Sequence, residues 1–328
     1  MSSADVTFRA MGSEIRMIVG PAGPAGVDPI DAVAEAKAFI EEFEQCLSRF
    51  RTDSELCALN SYVGDVVPAT ALLRDAVAAG IDAAARTGGL VDPTLVGEIE
   101  GAGYAESREG TEPADLRTAL LMAPERRPAR PSPARQWAMI EVDEEAGVIR
   151  RPIGVRFDSG GIGKGLAADL IAERLAGQRR FVIGCGGDLR VGGAEPELQE
   201  VLVEHPLTGE QDRRLYMERG AVATSGINVR VWRRADGRYA HHLIDPRTGE
   251  PAWTGLVGVT ALAPTGVEAE TLAKAAFLSG PDGARELVAE HGGVLFHEDG
   301  GAEPVGPIEL SSRLTVRIPA ALMNGAAA

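Results

Sequence analysis

The chain has 328 residues, of which 45% are hydrophobic and 25% charged, and it carries a net charge of −15. That balance leaves no basic face for nucleic acid and no simple attraction to an anionic membrane, although a local site can still be positive. At roughly 150 residues per domain the length allows one large or two moderate domains, either able to bury a core without disulfides.

Residues 6–19 read as two short strands around a Met-Gly-Ser turn, followed by a Pro/Gly/Ala loop over 20–29. Asp31 to Phe50 is predicted as a helix, with apolar positions at Val33, Ala36, Ile40, Phe43 and Leu47. Leu72 to Thr87 is a second helix, ended by Gly88-Gly89. Residues 105–134 are rich in Pro, Arg, Glu and Ala and read as a surface excursion, a lid or plain decoration. Ala138 to Val142 and Val148 to Arg151 suggest a hairpin, and Val155 to Asp158 a strand that runs into glycines before a helix over Leu166 to Leu175. Phe181 to Cys185 is a strand followed by Gly186-Gly187, and strand-like runs fill 189–262. Two helices are expected late in the chain, over Glu268 to Ser279 and Asp282 to His291. The pattern is α+β, with helices against mainly antiparallel strands. Cys46, Cys57 and Cys185 have no metal-like spacing and read as free thiols. Residues 1–20 show no apolar signal core and no stretch reaches membrane-span length, so a cytoplasmic protein is expected.

Several segments offer chemistry. Asp158-Ser-Gly-Gly-Ile-Gly-Lys-Gly165 places glycines and a cation at a helix start, where free N–H groups favour a phosphate, but it lacks Walker A spacing and could equally be a tight turn. His241-His242-Leu-Ile-Asp245-Pro-Arg247-Thr-Gly is either a capped loop with surface histidines or a point where His242, Asp245 and Arg247 converge on a ligand. Thr224-Ser225-Gly226 could hydrogen-bond a phosphate or cap a turn, and no elbow marks Ser225 as a nucleophile. Glu270 and Lys274 share a helix face, which taken alone suggests an exposed ion pair worth about 0.3–0.5 kcal/mol.

Seven blocks in order resemble the FAD:protein FMN transferase (ApbE-like) family from about residue 7 to residue 281. They are Met11-Gly12-Ser13; Ser48-Arg-Phe50 through Ser54-Glu-Leu to Asn60; Asp92-Pro93-Thr94; Asp158 to Gly165; Gly184 to Arg190; Thr224-Ser225-Gly226; and His242 to Gly249. The resemblance implies a single T-fold-like α+β domain over 1–328, with the excursion at about 105–134. It implies transfer of FMN from FAD onto a Thr or Ser hydroxyl of a target protein, with AMP leaving and Mg2+ assisting. An FAD binder or FAD pyrophosphatase without a protein acceptor is the alternative, and a diverged member with another ligand or a structural role a third. Mapped by motif, Met11, Phe50, Asp92, Pro93, Thr94, Asp158, Lys164, Thr224, Ser225, Ile244 and Asp245 would contact FAD, and His242 would be the general base.

The chain departs from the family's metal motif, Ala-Asp-x-x-x-Thr on the late helix, by carrying Ala269, Glu270 and Lys274. The backbone carbonyl that completes the family's site would fall at Gly161. Glutamate can ligate Mg2+, but a protonated lysine cannot. Lys274 is therefore expected to stand where the metal would, paired with Glu270, and binding of FAD is expected without added Mg2+.

Overall fold

The computed structural model describes residues 3–210 and 213–307. Its frame is an eight-stranded sheet whose spatial order follows the chain: Ala4–Ala10, Ser13–Val19, Phe181–Cys185, Asp188–Gly192, Gly220–Gly226, Leu256–Ala263, Gly293–His297 and Ala302–Val305. Every neighbouring pair is antiparallel. The expected α+β class with mainly antiparallel strands is what the chain adopts. The first hairpin turns on Met11-Gly12, both left-handed (φ 53° and 63°). Glycine takes that conformation freely, whereas Met11 carries strain of roughly 1–2 kcal/mol.

Among the described residues seven helices accompany the sheet. α1 (Pro29–Leu47) begins where Asp28 accepts from Ile30 N, with Pro at the first helical position. It buries Ala32, Val33, Ala36, Phe39, Ile40, Phe43 and Leu47, the face its spacing predicts. α2 (Glu55–Ser61) is capped by Ser54, and α3 (Ala71–Arg86) by Thr70. α4 (Val96–Gly101) and α5 (Leu116–Met122) are short. α6 (Gly163–Arg174) lies beside α7 (Gly266–Val288), which breaks at Gly280-Pro281 as expected, since Pro281 cannot continue the hydrogen-bond ladder. α1, α3 and α6 form one core with the first three strands, and α5 and α7 a second with later strands and the Gln199–Val203/Arg213–Met217 hairpin. Among the described residues no helix is long and apolar enough to cross a membrane, and all three cysteines are unpaired.

Four expectations need correction. Val155 to Asp158 forms no strand among the described residues. α6 starts at Gly163 rather than Leu166, so Lys164 sits inside its first turn. Of the first predicted hairpin arm only Glu141 and Val142 fall in a strand, Glu141–Asp143, because residues 136–139 wind into a 3-10 turn. The 105–134 segment is more than surface decoration: α5 buries Leu116, Ala119 and Leu120. The backbone N–H groups of Arg127, Ala129 and Arg130 donate to Trp253 O, Leu278 O and Asp245 Oδ1. Its polar composition hid three apolar anchors.

Candidate active site

Three backbone turns build one cleft between the two cores. The Met11-Gly12 hairpin closes one end. The Asp92-Pro93-Thr94 turn closes a side, tied down where Asp158 N donates to Pro93 O (2.8 Å). The glycine turn Ser159–Gly161 forms the floor, capped by Asp158 accepting from Gly160 N. Ile162 offers no side-chain cap to α6, and the Gly165 N–H in its first turn donates to Glu270, so the positive end of that helix meets a carboxylate of the floor. The enclosed space is about 330 Å3, within the usual range for a small-molecule site.

Charged side chains cluster at the floor. Lys164 is in direct contact with Asp188 and 3.8 Å from Glu270 Oε1. Asp188 is held from behind by Thr224 N (3.0 Å). Glu270, only 3% exposed, accepts from Gly165 N through Oε2 (2.9 Å). Lys274 Nζ lies 3.8 Å from Glu270 Oε1 and donates to Gly161 O at 2.6 Å. Burial works to lower Lys164, but Asp188 and Glu270 outweigh it and hold the ammonium above its ordinary value. Burial lowers Lys274, with Lys164 adding repulsion, and burial raises Glu270 against the pull of both lysines.

The upper walls carry rings and guanidinium groups. The Arg49 guanidinium lies 4.3 Å from the Phe50 ring centre and 4.7 Å from that of Tyr104, while its Nε reaches Asp158 at 3.2 Å. Its Nη2 is buried without a hydrogen-bond partner. Arg230 lines the cleft without an ion-pair or hydrogen-bond partner among the described residues; its contact is the Tyr104 ring at 5.8 Å. His242 lines the same wall, with Nδ1 buried and unpartnered. Burial pushes its pKa well below the ordinary value, and the charges of Arg230, Lys274 and Lys164 push the same way. His242 is therefore neutral near pH 7 and free to accept a proton. Asp92 is raised by burial, which outweighs the hydrogen bonds from Thr94.

The cleft brings together Met11, Phe50, Asp92, Pro93, Asp158, Gly161, Lys164, His242, Ile244 and Lys274, as expected from the sequence. Five other expected residues do not line it, the first being Glu270, which sits behind the lysines and accepts from Gly165 N. Thr94 turns inward, its N–H and hydroxyl both spent on Asp92. Thr224 and Ser225 lie within a strand rather than at a turn, and the Thr224 hydroxyl pairs with that of Thr260 (2.8 Å). Asp245 folds its own loop, accepting from Arg247 N and the Thr248 hydroxyl. Arg247 is exposed, so His242, Asp245 and Arg247 do not converge. Nor are the two histidines on the surface: His241 packs edge-on against Trp253 and Phe277. Sequence reasoning singled out neither Arg49, Asp188, Tyr104 nor Arg230; the first two stood inside recognised blocks, whereas nothing local marks the others.

A divalent cation does not fit the floor. The Gly161 carbonyl already accepts from Lys274, and two ammonium groups flank the single carboxylate that remains. Among the described residues no group of three or more His, Cys, Asp or Glu is placed to hold a metal.

The ApbE family matches residues 11–296. The chain is similar to FAD:protein FMN transferase of Treponema pallidum (strain Nichols), 29% identical over 279 residues that span 80% of this chain and 75% of that protein. It is also similar to FAD:protein FMN transferase of Haemophilus influenzae, 25% identical across 78% of this chain and 75% of that one. In fold it resembles the ApbE protein of Thermotoga maritima (TM-score 0.74, 23% identity, 93% of this chain and 97% of that chain). It likewise resembles the apo form of the Pseudomonas stutzeri flavinyl transferase ApbE (TM-score 0.70, 21% identity, 93% and 95%).

Proposed function

The chain belongs to the ApbE family, and from that premise we propose that it is an FAD:protein FMN transferase, moving FMN from FAD to a Thr or Ser hydroxyl of a target protein. The observation that carries the chemistry is a neutral imidazole, His242, on the same cleft as three cationic side chains, Lys164, Lys274 and Arg230. Phosphoryl transfer asks little covalent help of a protein and much neutralisation and alignment. The acceptor hydroxyl oxygen attacks the phosphorus on the FMN side of the pyrophosphate, and its proton passes to His242. The bond from that phosphorus to the bridging oxygen breaks, and AMP leaves with the electron pair, its new charge met by the lysines of the floor. The Arg49–Phe50–Tyr104 wall suits a flat ring, since guanidinium and aromatic planes both stack.

Incubation with FAD and candidate acceptor proteins tests the reading. Flavin fluorescence retained on the denatured acceptor, together with one AMP per flavin, is the expected result. Free FMN with AMP and no labelled acceptor would mean that water takes the place of the hydroxyl and that the protein is an FAD pyrophosphatase. A cytoplasmic location belongs to the same proposal and is supported by the three unpaired thiols.

A further inference from the structure

We infer that the Lys274 ammonium is a built-in replacement for a divalent cation, so that this cleft takes a diphosphate ester as its metal-free anion. The inference rests on the function proposed above for the ligand's identity, but not for the cation.

The geometry is that of a cation between two oxygens. Lys274 Nζ is 2.6 Å from Gly161 O and 3.8 Å from Glu270 Oε1. Neither oxygen can move away. Gly161 belongs to the capped glycine turn, and Glu270 is buried and anchored through its other oxygen to Gly165 N. A magnesium ion would need to lie about 2.1 Å from each oxygen ligand. At that distance from Gly161 O it would occupy the space Nζ already fills. The ammonium would have to leave, and Lys164 would still face the same carboxylate from 3.8 Å.

Charge points the same way. Lys164 and Lys274 balance Asp188 and Glu270, so the floor is neutral before a ligand arrives, and Arg230 adds a positive charge that has no carboxylate partner among the described residues. An ammonium has three donors, of which Lys274 uses one on Gly161 O. Its other N–H groups form no hydrogen bond among the described residues and are available to phosphate oxygens. A lysine is thus both the neutralising charge and a donor, the two services a bound metal would otherwise supply.

The test uses the full chain and two probes. Mn2+ is titrated without flavin and followed by electron paramagnetic resonance, in the wild type, Glu270→Gln and Lys274→Thr. The wild type is expected to hold no stoichiometric Mn2+ that Glu270→Gln abolishes, and Lys274→Thr, with the ammonium gone and a hydroxyl in its place, is expected to gain one. FAD is then titrated by calorimetry in EDTA and in Mg2+, and the wild-type dissociation constant should agree within about twofold. One wild-type Mn2+ lost in Glu270→Gln, or an FAD affinity that falls about tenfold in EDTA and returns with Mg2+, overturns the inference. These wild-type measurements decide the matter even if Lys274→Thr does not fold. Failure of FAD to bind under either condition, with Mn2+ still excluded, would sink the flavin reading and leave the cation assignment standing.

Discussion

Gly165 and Gly266 touch where α6 meets α7: a Cβ on Gly165 would lie 2.4 Å from the carbonyl carbon and oxygen of Gly266. Only the missing side chains let the two helices approach so closely, and that approach brings Glu270 onto Gly165 N. Gly165→Ala should therefore force the helices apart, at a cost of about 1–3 kcal/mol for overpacking. Gly101, at the end of α4, has nothing within 4 Å of its added Cβ, so Gly101→Ala should be neutral or mildly stabilising. Thermal melts of the two variants check this; equal melting temperatures would contradict the close-contact account.

His242 should separate chemistry from binding. His242→Gln removes the proton acceptor while keeping a polar side chain of similar reach. Transfer should slow by about 10²- to 10⁴-fold, with FAD affinity little changed. A loss of FAD binding in step with activity would instead make the histidine a ligand contact.

The same histidine sets a pH limit. Its pKa lies well below 6.5, so the base form persists as pH falls through the ordinary histidine range, and the acid limb of the rate profile should lie below that range. Arg230 is one of the charges responsible. Arg230→Met should move the limb to higher pH, because the protonated imidazole then meets less repulsion. A pH–rate profile of the variant measures the shift, and an unmoved limb would remove His242 from the proton transfer.

Arg230 also makes a prediction about binding. Its guanidinium lines the cleft and, among the described residues, has no carboxylate partner. Arg230→Met should weaken FAD about tenfold, the order expected when one charge-assisted hydrogen bond is lost. Stability should hardly change, since no ion pair is broken. Calorimetry with a parallel melt reports both quantities.

His241 governs stability in acid rather than function. Burial lowers its pKa from 6.5 to about 3. The folded protein keeps the ring neutral while the unfolded chain protonates it, so the contribution is fully present above pH 6.5 and is lost as pH falls towards about 3. At 1.36 kcal/mol per pH unit this amounts to at most about 5 kcal/mol. His241→Leu should make denaturant stability less sensitive to pH between 7 and 4, and equal slopes for variant and wild type would refute the assignment.

The cleft was legible in the sequence where a residue's role follows from its own turn. Met11-Gly12, Asp92-Pro93 and the glycines at 160, 161 and 163 announce turns in the backbone, and all of them reach the site. Gly280-Pro281 announced the break in α7 for the same reason. Thr94, Thr224, Ser225 and Asp245 misled because a short polar side chain can satisfy itself locally or across a strand. Motif membership does not say which way such a side chain turns. α5 was missed because prolines and charges surround its three buried residues.

By itself the sequence determined the class of fold, the punctuation of its helices and the set of residue types at the cleft, because periodicity and turn chemistry act over a few residues at a time. It also determined that Glu270 and Lys274 share a face of one helix, since that follows from helical spacing alone. Tertiary structure decided what that face meets. Lys274 reaches Gly161 O, 113 residues away in the chain, and Glu270 reaches Gly165 N, 105 away. A pair that spacing would leave on the surface is buried because two glycines let α6 and α7 close together. Contacts of that range depend on how whole helices pack, and no local pattern encodes them.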